Sequence, residues 1–211
     1  MARVNNIIGK ALSGRIGNIV FVNLGGSTYA RTLPRERKPS EWSAAQKNHR
    51  KCFAVVVKYA SCMMVPFIKP IWNKAVPDST SRFNQFVKAN KPAFGKNGTM
   101  NDPGLLRFSV GSLPLPADLT AISSSEQSNR ADVSWENQKN DMVRNDDHLM
   151  AVFYNVHHLI VPIKTGFTRK DEKAKILISE NSGKEIYLYL FFISADEILY
   201  SIDQVFKMAI Q

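Results

Sequence analysis

Residues 186–193 read IYLYLFFI. Eight consecutive aliphatic and aromatic residues of high β propensity make a strand. The usual alternation of wet and dry positions is missing. Side chains of a strand point alternately to its two faces, so a half-exposed strand carries a polar residue at every second position. Here both faces are hydrophobic, and both need a cover. Tyr187, Tyr189, Phe191 and Ile193 share one face. They form a candidate apolar interface, met by helices of the N-terminal half or by another subunit; the alternative is a fully covered central strand. The run is strand-length, far short of the ~20 apolar residues that cross a bilayer as a helix.

Around this strand lie further short β-type runs: LLRFSV (105–110), DLTAIS (118–123), ADVSW (131–135), LMAVFYNV (149–156), LIVPIKTGF (159–167), KILIS (175–179) and ILYSIDQVF (198–206). Turn signals such as ENQKND, RNDD and ENSGK separate them. Short strands at regular spacing with little helical periodicity predict an antiparallel β-sandwich over 104–211. Trp135 on an early strand, and a late aromatic strand followed by ADEILYS, are similar to fibronectin type III and immunoglobulin-like domains.

The first hundred residues have another character. Residues 1–100 hold 17 Lys+Arg against 3 Asp+Glu, whereas 101–211 hold 11 against 15, within a formal net charge of +10. Such asymmetry suggests two parts with different surfaces. The boundary is placed in the Gly/Asn/Pro-rich stretch KPAFGKNGTMNDPG (91–104), giving a basic region over 1–100. Within it, 19–33 predicts a β-hairpin turning at Leu24-Gly25-Gly26-Ser27. A helix is expected from Ser40 as N-cap, with Trp42, Ala45, Cys52, Phe53, Val56, Ala60, Met63 and Phe67 on its apolar stripe. Pro66 and Pro70 should kink or end it. A shorter helix is expected over 80–90, with Phe83, Phe86 and Val87 on one face. The fold class is thus α+β: a hairpin and helical pair, then an immunoglobulin-like antiparallel sandwich.

The stretch GKALSGRIGNIVF (9–21) resembles a phosphate grip, but the spacing fails both the P-loop and the dinucleotide fingerprint. An RNA-binding KH loop joins two helices, whereas Ile19–Val22 have β character. The glycines are read as allowing a tight bend before a hairpin. The pattern Gly14, Gly17, Asn18, Val20, Phe21, then Gly26, Tyr29, Arg31, then Gln46, Arg50, Phe53 resembles an uncharacterised bacterial domain-of-unknown-function family. Its proline and threonine before the Gln are replaced here by Ser40-Glu41-Trp42-Ser43. Gly111, Leu113, Val133, Trp135 and Tyr189 to Phe192 extend the likeness over nearly the whole chain. The resemblance implies an architecture and no catalytic residue, and a setting among phage and mobile-element proteins.

Catalytic and metal chemistry finds little support in the residues. His157 and His158 are adjacent in a strand and point to opposite faces. Asp146-Asp147-His148 reads as a polar turn before a strand. Asp171-Glu172 and Asp196-Glu197 fall in predicted turns, where solvation accounts for them. Cys52 and Cys62 lie ~15 Å apart on one helix, too far for a disulfide. No catalytic, cofactor-binding or metal residue is assigned, and no cofactor is expected. The basic residues Arg15, Arg31, Arg35, Arg37, Lys38, Lys47, Arg50 and Lys51 form the candidate surface for a protein partner or nucleic acid. MARVNNIIGKALSG lacks the apolar core of a signal peptide, so the expected location is the cytoplasm or the interior of a virion particle. The expected function is a non-enzymatic structural or assembly protein. It would be an oligomeric subunit of a larger complex, such as a phage virion or mobile-element particle, docking to other protein subunits. The alternative is a nucleic-acid-binding module using the basic half. No membrane partner is expected.

Overall fold

The computed structural model describes residues 2–4, 13–24, 27–35, 39–75, 81–124, 130–138, 142–154, 162–178 and 185–209. Two compact units divide the chain at Lys47/Asn48, inside a helix. The expected boundary near residue 100 is therefore not where the units separate. The Gly/Asn-rich stretch there is a packed turn, held by Gly95 N–H to the Thr99 carbonyl at 2.8 Å and Asn101 N–H to the Ala93 carbonyl at 2.9 Å. The helices before it and the strands after it share one core.

The first unit is an antiparallel sheet of β1 (Ala2–Val4), β2 (Gly14–Ile16), β3 (Ile19–Leu24) and β4 (Ser27–Thr32), in the order β1-β4-β3-β2. The expected hairpin is β3–β4, pairing Ile19 with Thr32 through Leu24 with Ser27. Gly17-Asn18 makes the turn between β2 and β3, with Gly17 at φ 57°. A left-handed residue in a two-residue hairpin loop favours glycine, because a Cβ would be strained there. The GRIG segment is therefore a hairpin turn, as its β-rich continuation suggests.

Helix α1 (Ala44–Cys62) carries the chain across the boundary into the second unit. Its cap is Ser43 rather than Ser40: Ser43 Oγ accepts from Gln46 N–H and Gln46 Oε1 accepts from Ser43 N–H, at 3.3 and 3.0 Å. This reciprocal capping box satisfies two backbone donors at once. Cys52, Val56, Ala60 and Met63 are buried at helical spacing, but Phe53 is 47% exposed. One residue beyond Cys52, it lies about 100° round the helix, off the stripe. The chain then bends by 79° into a π-helical stretch, Met64–Trp72, followed by α2 (Asn73–Ala75). Pro66 sits in its first turn, where a missing N–H costs nothing. Helix α3 (Arg82–Asn90) is capped by Ser81.

Two sheets follow. β5 (Ala117–Ser123), β6 (Arg130–Glu136) and β9 (Lys173–Leu177) form one, ordered β5-β6-β9. β7 (His148–Tyr154), β8 (Ile163–Thr168), β10 (Glu185–Ile193) and β11 (Gln204–Ala209) form the other, ordered β11-β10-β7-β8. From β10, Ile186, Leu188, Leu190 and Phe192 join a core with Leu119, Val133, Trp135 and Ile176 of the three-stranded sheet. Tyr189, Phe191 and Ile193 enter a separate core with Val56, Phe67, Trp72 and Phe86 of the helices. The unit is thus α+β with a β-rich C-terminal part.

Residues 105–110, expected as a strand, belong to no sheet ladder: Leu105 ends a short 3-10 turn, Pro103–Leu105, and the chain from Leu106 runs outside any sheet. Side chains satisfy the backbone instead. Asn90 accepts from Arg107 N–H at 2.9 Å and donates to its carbonyl at 3.0 Å. Asp203 Oδ2 accepts from Phe108 N–H at 2.8 Å, and Trp72 Nε1 donates to the Phe108 carbonyl at 3.0 Å. Leu113 N–H reaches the Tyr200 carbonyl at 3.0 Å. Buried backbone polar groups must find partners somewhere, and a ladder is only one source. At Gly111 an added Cβ would stand 2.0 Å from the Tyr200 carbonyl oxygen. Gly111→Ala should therefore cost about 3 kcal/mol or more, read as a lower midpoint in denaturant unfolding; an unchanged midpoint would contradict this packing.

Burial pushes the Asp203 carboxyl up to about 6, with the Phe108 N–H and Arg107 pulling the other way. The folded chain then holds the Asp203 proton more tightly than the unfolded chain. Stability from this site is complete below the ordinary carboxylate range and is lost as pH rises through about 6. Between about pH 4 and pH 7 the native chain should lose about 2 kcal/mol relative to Asp203→Asn. Parallel pH–stability curves for the two proteins in chemical denaturation would contradict the assignment.

Candidate functional site

The register of the N-terminal sheet sorts its side chains onto two faces. Arg15 pairs with Val20 and Val20 with Arg31, so these three form one row across β2, β3 and β4. Val22 and Tyr29 pair in the next row of that face. The opposite face carries Ile16, Ile19 and Thr32 in one row, then Gly14, Phe21 and Ala30, then Asn23 and Thr28. One face is therefore cationic with an aromatic ring, and the other is uncharged among the described side chains. Arg15 and Arg31 are exposed and Tyr29 is half-buried. Arg15 Nε donates to the Gly17 carbonyl at 2.8 Å, which ties the guanidinium to the β2–β3 turn. No Asp or Glu occurs before Glu36.

Among the described residues, none before residue 48 joins either hydrophobic core. Ile16 is 64% exposed and Ile19 45%.

The other basic residues lie elsewhere. Arg35 is exposed in the segment after β4, while Arg37 and Lys38 lie outside the described residues. Lys47, Arg50, Lys51 and Lys58 are exposed on α1. Helical spacing places them on the side away from Cys52, Val56 and Ala60. No aromatic residue of α1 shares that side, since Phe53 and Tyr59 lie closer to the buried stripe. The six described residues of that group therefore divide between a sheet face, a loop and a helix surface.

Tyr189 and Phe191 meet the chain's own helices, the first of the two expected covers, and both are fully buried in that core. The Tyr189 hydroxyl donates to the Pro103 carbonyl, and its ring meets Phe108 edge-on at 4.7 Å. Burial raises the Tyr189 pKa. Tyr187 is half-buried, its ring 6.4 Å from that of Tyr154, with the Lys207 ammonium 5.9 Å above it.

The acidic clusters have structural partners. Asp147, wholly buried, pairs with buried Arg169 at 3.3 Å. Arg169 also donates to the Pro114 carbonyl at 2.8 Å and stacks 4.6 Å over Phe192. Burial lowers its pKa, and Asp147 opposes that. Asp171 accepts from the backbone N–H and hydroxyl of Thr168, which hold its carboxyl below the usual range. Asp196 does likewise for the Ser194 hydroxyl and Ile198 N–H. His157 and His158 lie outside the described residues. Among those described, no group of three His, Cys, Asp or Glu is placed to hold a metal ion. No single described helix is long and apolar enough to cross a membrane; α1 and the bent stretch after it reach that composition only together. A groove of about 470 Å³ runs over the outer face of the β5-β6-β9 sheet, between Thr120, Ile122, Asp132, Ser134, Lys173 and Phe167. Its Thr120 and Ser134 hydroxyls bond each other at 2.9 Å.

Tyr29 is the residue that grouping by charge misses, although strict alternation along Tyr29-Ala30-Arg31 puts it on the arginine face. Neither a family model nor a curated protein matches this chain.

Proposed function

We propose that this chain is a non-enzymatic assembly subunit that docks to a second copy of itself through the uncharged face of its N-terminal sheet. The second unit serves as the body of the subunit, and we read it as an immunoglobulin-like sandwich. The strand orders β5-β6-β9 and β11-β10-β7-β8 correspond to the A-B-E and G-F-C orders of that architecture, with one strand added beyond C. Trp135, packed edge-on to Phe192 at 5.6 Å between the sheets, supports the same reading. An assembly of the phage-virion or mobile-element kind is the setting implied by the family resemblance of residues 9–53.

The observation that carries the docking reading is the exposure of Ile16 and Ile19 on a sheet none of whose described residues joins either hydrophobic core. A small antiparallel sheet needs one apolar face buried to be stable. Two copies can appose the uncharged face without repulsion. The opposite face would set Arg15 and Arg31 against their own symmetry mates. Burying each isoleucine contributes about 1.5–3 kcal/mol.

Sedimentation equilibrium of the full chain should show self-association. Ile16→Glu with Ile19→Glu should weaken it at least tenfold and leave the unfolding of the second unit unchanged. A chain that is monomeric throughout, or a variant that associates as the wild type does, would reject the proposal.

A further inference from the structure

We propose that the arginine face of the N-terminal sheet binds single-stranded nucleic acid without sequence preference. The docking face is its opposite, so the two proposals fail independently.

Three features meet on this face. The first is charge. Arg15 and Arg31 stand exposed on this face, Arg3 holds a register position on it opposite Tyr29, and residues 1–35 contain no acidic residue. The local field is therefore positive with no internal neutralisation, and it raises the concentration of polyanions at the surface. The second is an aromatic ring among the cations. Tyr29 and Arg31 stand two residues apart on one strand, on the same face, and Tyr29 pairs with Val22 on β3 and with Arg3 on β1. β4 and β3 are the inner strands, so Tyr29 sits in the middle of the sheet with arginine positions on both sides. The third is span. Arg15 and Arg31 lie two strands apart, about 10 Å between backbones, a distance that the long arginine arms close onto successive phosphates of one strand.

The chemistry follows from those features. A base laid on the Tyr29 ring is held by stacking, which every base can supply. Val20 and Val22 flank the ring with apolar surface. Arg15 and Arg31 take the backbone phosphates, for which the planar guanidinium is suited. A regular duplex keeps its bases stacked inside and cannot offer one to the ring. The exposed cations of α1 lack this arrangement, because no aromatic residue shares their side of the helix. An acidic protein segment would satisfy the arginines but would leave Tyr29 without its stacking partner.

The test is fluorescence anisotropy of the full chain with labelled oligo-dT and oligo-U across a salt titration. A duplex of equal length and a poly-glutamate peptide are run alongside. Single strands should bind, and the affinity should fall with salt. Arg15→Gln with Arg31→Gln should weaken binding at least tenfold and reduce the log–log salt slope by about 1.4. Tyr29→Leu should weaken it about fivefold or more with the slope unchanged. Arg50→Gln with Lys51→Gln should leave it within about twofold, a change too small for a lost phosphate contact. In the wild-type chain, photo-crosslinking of a bromouracil oligonucleotide should mark the peptide that contains Tyr29. The proposal is overturned by any of four results: no binding at low salt, sheet variants that bind as wild type, crosslinks confined to α1, or poly-glutamate binding as tightly as the single strands.

Discussion

The strand Glu185–Ile193 is the wall on which both cores of the second unit are built. Its even-numbered residues Ile186 to Phe192 close the space between the two sheets, and Tyr189, Phe191 and Ile193 close the space under the helices. A strand hydrophobic on both sides cannot sit at a wet surface. The helices after Ala44 are therefore required as the cover of the second face. The bend near Met63 brings Phe67, Ile68, Ile71 and Trp72 into that cover.

Apolar burial is non-directional and does not by itself choose a register. Buried polar groups supply that choice here. Arg169 is held by Asp147, by the Pro114 carbonyl and by the ring of Phe192, while its own carbonyl accepts from Trp135 Nε1 at 2.8 Å. Asn90, Asp203 and Trp72 clamp the extended segment through Phe108 in the same manner. A misaligned segment would strand these groups without partners, and an unmade buried hydrogen bond costs more than a made one contributes.

The N-terminal sheet is organised the other way. Its described residues form no such wall, and among them only Thr28 is buried. Pleating instead separates its chemistry into an uncharged face and a cationic one. Both proposals for the chain draw on that separation. In the second unit Asp171 closes a cap, Asp196 a turn, and Asp147 a buried ion pair.

Local periodicity determined a good deal from the sequence alone. The β3–β4 hairpin, the buried stripe Cys52–Val56–Ala60–Met63, the short helix ending at Asn90 and most of the strands are visible in spacing and turn residues, because each is set by neighbours along the chain. The glycine turn at Gly17 was legible for the same reason. What tertiary structure decided involves partners far apart in sequence. The segment through Phe108 has strand composition, yet its hydrogen bonds go to Asn90 and Asp203. The hydrophobic second face of β10 needed a cover, but only packing chose the chain's own helices over a neighbour. The basic residues form one cluster in composition but belong to a sheet face, a loop and a helix, because strand pleat, loop and helix turn direct them differently. Long-range contacts depend on which surfaces meet, and no local pattern specifies that.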